Sequence, residues 1–129
     1  MDKTISYLRI LFHILTLLLI ILSLYPGSIL GFLLYGDFRL QPQITKDFLY
    51  ISSQHLYVYL LISALGFFSY LRDKKFNLVV IYLFFLSIIL EISHLLISER
   101  SFQIDDLTGN ILGVLIAYII VLIYKFWRR

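Results

Sequence analysis

The chain has no cysteine, which excludes disulfides, thiolate metal sites and cysteine nucleophiles. Charge is also scarce. Asp, Glu, Lys and Arg make up 15% of the residues, against roughly 25% in ordinary soluble domains. The formal net charge is only +3, and no basic run suited to nucleic acid is present. Two prolines and six glycines in 129 residues leave few places where a helix must stop. No G-x-S-x-G elbow and no phosphate-cradling glycine loop occurs, so serine-hydrolase and nucleotide signatures are both missing. There is no internal repeat.

Apolar residues fill the space: 60% of the chain is hydrophobic. They come in blocks rather than scattered. A helix needs about 20 apolar residues to cross the hydrocarbon core of a membrane. Blocks near 5–25, 48–71, 78–98 and 107–127 meet that length and account for nearly the whole chain. The first resembles a signal peptide, but its apolar part is too long, and Tyr25-Pro26-Gly27 is a poor cleavage site. It reads as a retained helix that ends at Pro26 and Gly27. The stretch Ser28 to Gly36 is apolar but too short to span, and Asp37 to Asp47 reads as an exposed loop. The expected fold is all-α: a single polytopic domain with four transmembrane helices.

Cytoplasmic loops are rich in Lys and Arg. Lys3, Arg9, Arg72, Lys74, Lys75, Lys125, Arg128 and Arg129 fall on one side of this arrangement, and Arg39, Lys46 and Arg100 on the other. That split places both termini in the cytoplasm and predicts a multi-pass protein of the inner (cytoplasmic) membrane. Trp127 and several tyrosines near the block ends suit the interfacial belt. His13, near the cytoplasmic end of the first block, reads as interfacial with no role in a site. The other aromatics read as lipid-facing.

Charge inside a span costs roughly 2.5–3.5 kcal/mol at the helix centre, so each such group needs a reason. Glu91 lies two turns before Ser98, roughly 10 Å from that end of the third block, and His94 shares its face at i+3. His55 lies eight residues beyond Asp47, roughly 12 Å along the second block, with Tyr59 one turn deeper. Asp106, Asn110 and Gly113 form one stripe on the fourth block. Gly109 and Gly113 would let another helix approach closely. Arg100, in the loop between the third and fourth blocks, could reach back to an acid. Three spans thus bring polar groups to one depth on the outward side, which predicts a polar pocket near the outer leaflet.

The same spacing resembles the signature of the VanZ-like family over about residues 48–117. Glu91, His94, Arg100, Asp106, Asn110 and Gly113 follow its E-x-x-Q, R, D-x-x-x-N-x-x-G pattern, and His55 with Tyr59 its H-x-x-x-Y element. His94 stands where the family usually has Gln. Ile51 and Ser52 stand where an Asp-Lys pair is expected. The resemblance implies a cell-envelope membrane protein linked to glycopeptide resistance, chiefly teicoplanin, and supplies no reaction.

The expected ligand-binding set is Tyr59, Glu91, His94, Arg100, Asp106 and Asn110. If there is catalysis, His55, Glu91 and Asp106 are its candidates. His55, His94, Glu91 and Asp106 would together suit zinc or manganese. No tight motif such as H-E-x-x-H is present, so neither metal nor cofactor is expected. The expected partners are the lipid bilayer, a lipid-linked envelope component and a partner helix. In the alternative reading, the chain is a non-enzymatic scaffold whose polar cluster only fixes helix packing. A small transporter or channel would need an oligomer, and the apolar inner half argues against a continuous pore.

Overall fold

The computed structural model describes residues 2–129. Five helices follow one another: α1 (Lys3–Leu24), α2 (Ile29–Tyr35), α3 (Ser53–Ser69), α4 (Phe76–Ser93) and α5 (Ile104–Trp127). No strand forms among the described residues. Asp2 caps α1 by accepting from the Thr4 N–H at 3.2 Å, and α1 stops just before Pro26 and Gly27, as expected. Ser28 caps α2 through the Gly31 N–H at 2.9 Å, and Gly36 closes it with φ 71°. That left-handed conformation costs glycine nothing. In α5, Asp105 and Asp106 occupy the first turn and Lys125 the last, which suits both ends of the helix dipole.

Three helices, α1, α4 and α5, are long and apolar enough to cross a membrane. The four expected blocks all form helices, but not with the expected bounds. At 17 residues, α3 spans roughly 25 Å, short of the hydrocarbon thickness. It starts at Ser53 rather than near 48, because Phe48 and Ile51 pair their backbones in a tight bridge. Likewise α4 ends at Ser93 rather than near 98. Residues beyond it form turns closed by i to i+3 bonds such as Leu96 N–H to Ser93 carbonyl. An extra turn at the start of α5 recovers Ile104 to Asp106 as helix.

Both chain ends lie at one end of the bundle, beside the α3–α4 turn. Arg9 pairs with Asp73 at 2.7 Å, donates to the Ser69 carbonyl at 3.0 Å and stacks over Tyr70. Lys125 sits 3.4 Å over the Phe76 ring. His13 bonds the Tyr70 hydroxyl at 2.9 Å. This half of the bundle is solid: Phe12, Phe67, Leu83, Val114, Ala117 and Val121 are all essentially inaccessible.

The most extensive interface joins α3 and α5, and two glycines explain it. A Cβ at Gly109 would lie 2.5 Å from the Ser52 carbonyl oxygen, and one at Gly113 2.5 Å from that of Leu56. The two backbones touch where any side chain would hold them apart. The expected close approach therefore occurs, but its partner is α3 of the same chain rather than another protein. Along α1, Ile10, Leu11, Ile14, Leu17, Leu18 and Ile21 all stay exposed. An unbroken apolar surface of this kind has lipid as its solvent.

Candidate functional site

The other end of the bundle is polar. It gathers the last turn of α4, the first turns of α3 and α5, and the C-terminal end of α1. The loop 37–47 and the short α2 cover it. Backbone and side-chain bonds tie this cover to the start of α3: Ile44 N–H to Gln54 Oε1 at 2.9 Å, Thr45 to Ser53 at 2.6 Å, and Ser53 N–H to Asp47 at 3.1 Å. Pro42 is buried beneath it, so the loop 37–47 is not the wholly exposed one expected.

Glu91 is completely buried. One oxygen, Oε1, accepts from the Gln103 N–H at 3.0 Å and lies 3.3 Å from His94 Nδ1. The other, Oε2, has no partner. His94 uses its second nitrogen to donate to the Ser23 carbonyl of α1 at 3.1 Å. It thereby links α4 to α1 through a backbone group that carries no side-chain signal.

A second chain of bonds sets the state of His55. Asn110 donates through Nδ2 to the Ser87 carbonyl at 3.2 Å. A carbonyl only accepts, so the amide orientation is fixed. Asn110 Oδ1 therefore faces His55 Nδ1, at 2.8 Å, and this nitrogen must carry a proton. His55 Nε2 then points its lone pair, in the neutral ring, toward Asp106 Oδ1 at 3.6 Å. His55, Glu91 and Asp106 each present one ligand atom, and these atoms all lie within 4.8 Å of one another. Tyr59 is buried and lines the same space.

Arg100 departs from expectation. It forms no ion pair with an acid. Its Nη2 donates to the Leu22 carbonyl at 2.6 Å and its Nε to the Tyr25 carbonyl at 3.3 Å, with Nη1 3.4 Å from Gln41 Oε1. These carbonyls end α1, where a helix leaves acceptors unsatisfied and favours a cation. Burial lowers the Arg100 pKa, against the opposing pull of Glu91 and Asp106; the guanidinium stays charged. Its five N–H donors exceed these three bonds.

The polar groups are also shallower along their helices than the residue count suggests. His55 and Asp106 are third in α3 and α5, and Glu91 lies in the last turn of α4. Glu91 is buried, and His55 and Asp106 half-buried, because the loops and α1 cover the bundle end, not because they sit deep within helices.

Two adjacent cavities lie here. One, of about 190 Å³, has apolar walls from Leu19, Leu22, Ile29, Leu30, Val58 and Leu90. The other, of about 260 Å³, is lined by polar groups including Asp47, Ser52, Glu99, Gln103 and Asp106. His55, His94, Gln54, Gln41, Pro42 and Arg100 line both. Glu91 faces the first and Asp106 the second. Asp47 and Gln41 were missed in the sequence, because loop polar residues are the norm and no spacing sets these apart.

A model of the VanZ/LLP1 family matches residues 7–126, nearly the whole described chain. The chain belongs to the VanZ/LLP1 family. The match takes in α1, beyond the 48–117 stretch that carries the recognisable spacing, and so includes the helix whose carbonyls hold His94 and Arg100. No curated protein and no solved structure matches the chain. This VanZ/LLP1 protein is a multi-pass membrane protein in contact with lipid.

Proposed function

We propose that this VanZ/LLP1 protein binds an amphipathic component of the cell envelope at the outer face of the cytoplasmic membrane. The observation that carries the reading is the pair of cavities, one mainly apolar and one polar, that share a wall at a single end of the bundle. A lipid-linked molecule has the same two-part chemistry. Its hydrocarbon would lie between Leu19, Leu22, Leu30 and Val58. Its head would meet Asp106, His55, Gln103 and the remaining donors of Arg100. Glu91, Tyr59, His94 and Asn110 hold that surface in shape from below. The distribution of basic residues supports placing this end outward, and four spans with both termini inside follow if α3 crosses with its neighbours.

Asn110 holds the Nδ1–H of His55 and so leaves Nε2 free to meet a bound head group. The scaffold reading is weakened by Gly109 and Gly113: their close-approach surfaces are already filled by α3. A pore is not supported, because the packed core from Phe12 to Val121 closes the opposite half.

The test is expression in a glycopeptide-sensitive bacterium, with membrane abundance quantified. Wild type should raise teicoplanin tolerance and co-purify an envelope lipid detectable by native mass spectrometry. Asp106→Asn and Glu91→Gln should lose both at equal abundance. Variants that keep both properties would exclude the polar cavity as the working site.

A further inference from the structure

We propose that His55, Glu91 and Asp106 form a mononuclear site for a divalent cation of the zinc and manganese class, with open coordination positions toward the two cavities. This goes beyond the lipid-binding reading and does not rest on it. It also departs from the sequence-based expectation of no metal.

Four observations converge. The three donor atoms lie within 4.8 Å of one another and come from three different helices, so the bundle packing itself holds the cluster together. Glu91 Oε2 is buried without any partner, and a buried carboxylate oxygen left unpaired is costly. His55 is oriented by Asn110, which is itself fixed by the Ser87 carbonyl. Metal-ligating histidines are characteristically held through their other ring nitrogen in this way. In the neutral ring the Nε2 lone pair faces the Asp106 carboxylate at 3.6 Å. That is too long for a hydrogen bond, yet close to the roughly 3–3.5 Å between two ligands of one zinc ion at bond lengths of about 2.1 Å.

Charge points the same way. Among the described residues no Lys or Arg forms a salt bridge with Glu91 or Asp106, and the nearby Arg100 spends its strongest bonds on α1 carbonyls. A divalent ion held by two carboxylates and one neutral imidazole makes a neutral centre. Imidazole suits zinc and carboxylate suits manganese. Three protein ligands leave positions for water or for an oxygen of a bound head group.

The experiment uses the full chain in detergent micelles, stripped with chelator and titrated with Mn²⁺ alone, the free ion being read by electron paramagnetic resonance. One Mn²⁺ should bind per chain, with nitrogen coupling from a single imidazole in the pulsed spectrum, and Zn²⁺ should displace it. Asp106→Asn and His55→Gln should weaken binding at least tenfold. Asn110→Ala, which touches no metal, should weaken it roughly 10–100-fold by releasing His55. Asp73→Asn, at the other end of the bundle, should leave it unchanged. Absence of saturable binding, absence of nitrogen coupling in the wild type, or equal affinity in folded His55 and Asp106 variants would each overturn the site. The wild-type spectrum decides the matter even if a variant does not fold. No envelope ligand enters the measurement, so its failure is separable from failure of the lipid-binding reading.

Discussion

At the scale of single residues, the site depends on atoms that fix other atoms. Ser87 offers only a backbone carbonyl, yet it decides which way Asn110 faces and hence which nitrogen of His55 is protonated. Gly113 shows the same dependence in packing. A Cβ there would meet the Leu56 carbonyl oxygen at 2.5 Å, the Leu60 nitrogen at 2.8 Å and Tyr59 Cβ at 2.9 Å. Two of these are backbone atoms of α3 and cannot rotate away. Gly113→Ala must therefore push α3 from α5. We expect a loss of about 1–3 kcal/mol from overpacking, read as lowered thermal stability in detergent. The same shift would separate His55 from Asp106, so lipid co-purification should fall as well. Unchanged stability would mean that the two helices are not in backbone contact.

At the scale of elements, the bundle is latched at both ends by bonds to α1. At the polar end His94 and Arg100 reach its terminal carbonyls; at the other, Arg9 meets Asp73 and Ser69. The Lys75 N–H, at 2.8 Å, and the Arg9 guanidinium hold the Asp73 carboxyl below its usual range. A carboxyl with a lowered folded-state pKa contributes stability above its unfolded pKa, and that contribution is lost as pH falls through the lowered value. Acid should therefore weaken this latch from about pH 4 downward. Asp73→Asn should flatten that part of the stability profile while leaving neutral-pH spans intact, as followed by thermal unfolding between pH 7 and 3. An identical acid limb in the variant would assign the loss to other groups. The latches also show what the sequence could and could not reveal. The polar stripe of His55, Tyr59, Glu91, His94, Asp106 and Asn110 was legible, because costly groups within apolar runs stand out and helical spacing puts them on shared faces. The helix ends were not: Leu95 and Leu96 extend the hydrophobic run of α4, yet they lie in an exposed turn. Nor was the partner of Arg100. A guanidinium reads as the mate of a nearby acid, whereas the unsatisfied carbonyls of Leu22 and Tyr25 carry no side-chain mark.

At the scale of the whole molecule, the length of α3 governs how the bundle sits across the bilayer. The apolar blocks and the match over residues 7–126 make it a membrane protein, but α3 has only 17 residues. A helix that short crosses if the bilayer thins locally or if its ends are sheltered by protein. Here its first turn is tied to the loop 37–47 and to α5 through Ser52 N–H and the Asp105 carbonyl at 3.1 Å. That shelter satisfies the polar groups which would otherwise demand water at the membrane surface. The basic turn Arg72 to Lys75 at its far end favours the cytoplasm. We therefore expect α3 to cross, with Gln43 outside and Lys74 inside. The lack of any native cysteine makes this directly measurable. Gln43→Cys should react with a membrane-impermeant maleimide in intact cells, and Lys74→Cys only after permeabilisation. The reverse pattern would invert the topology and turn the polar cavities toward the cytoplasm, where a ligand carried in the outer leaflet could not reach them. Labelling of both sites in intact cells would mean that α3 does not span. Helices α1, α4 and α5 would then have to hold the polar end at the membrane surface by themselves.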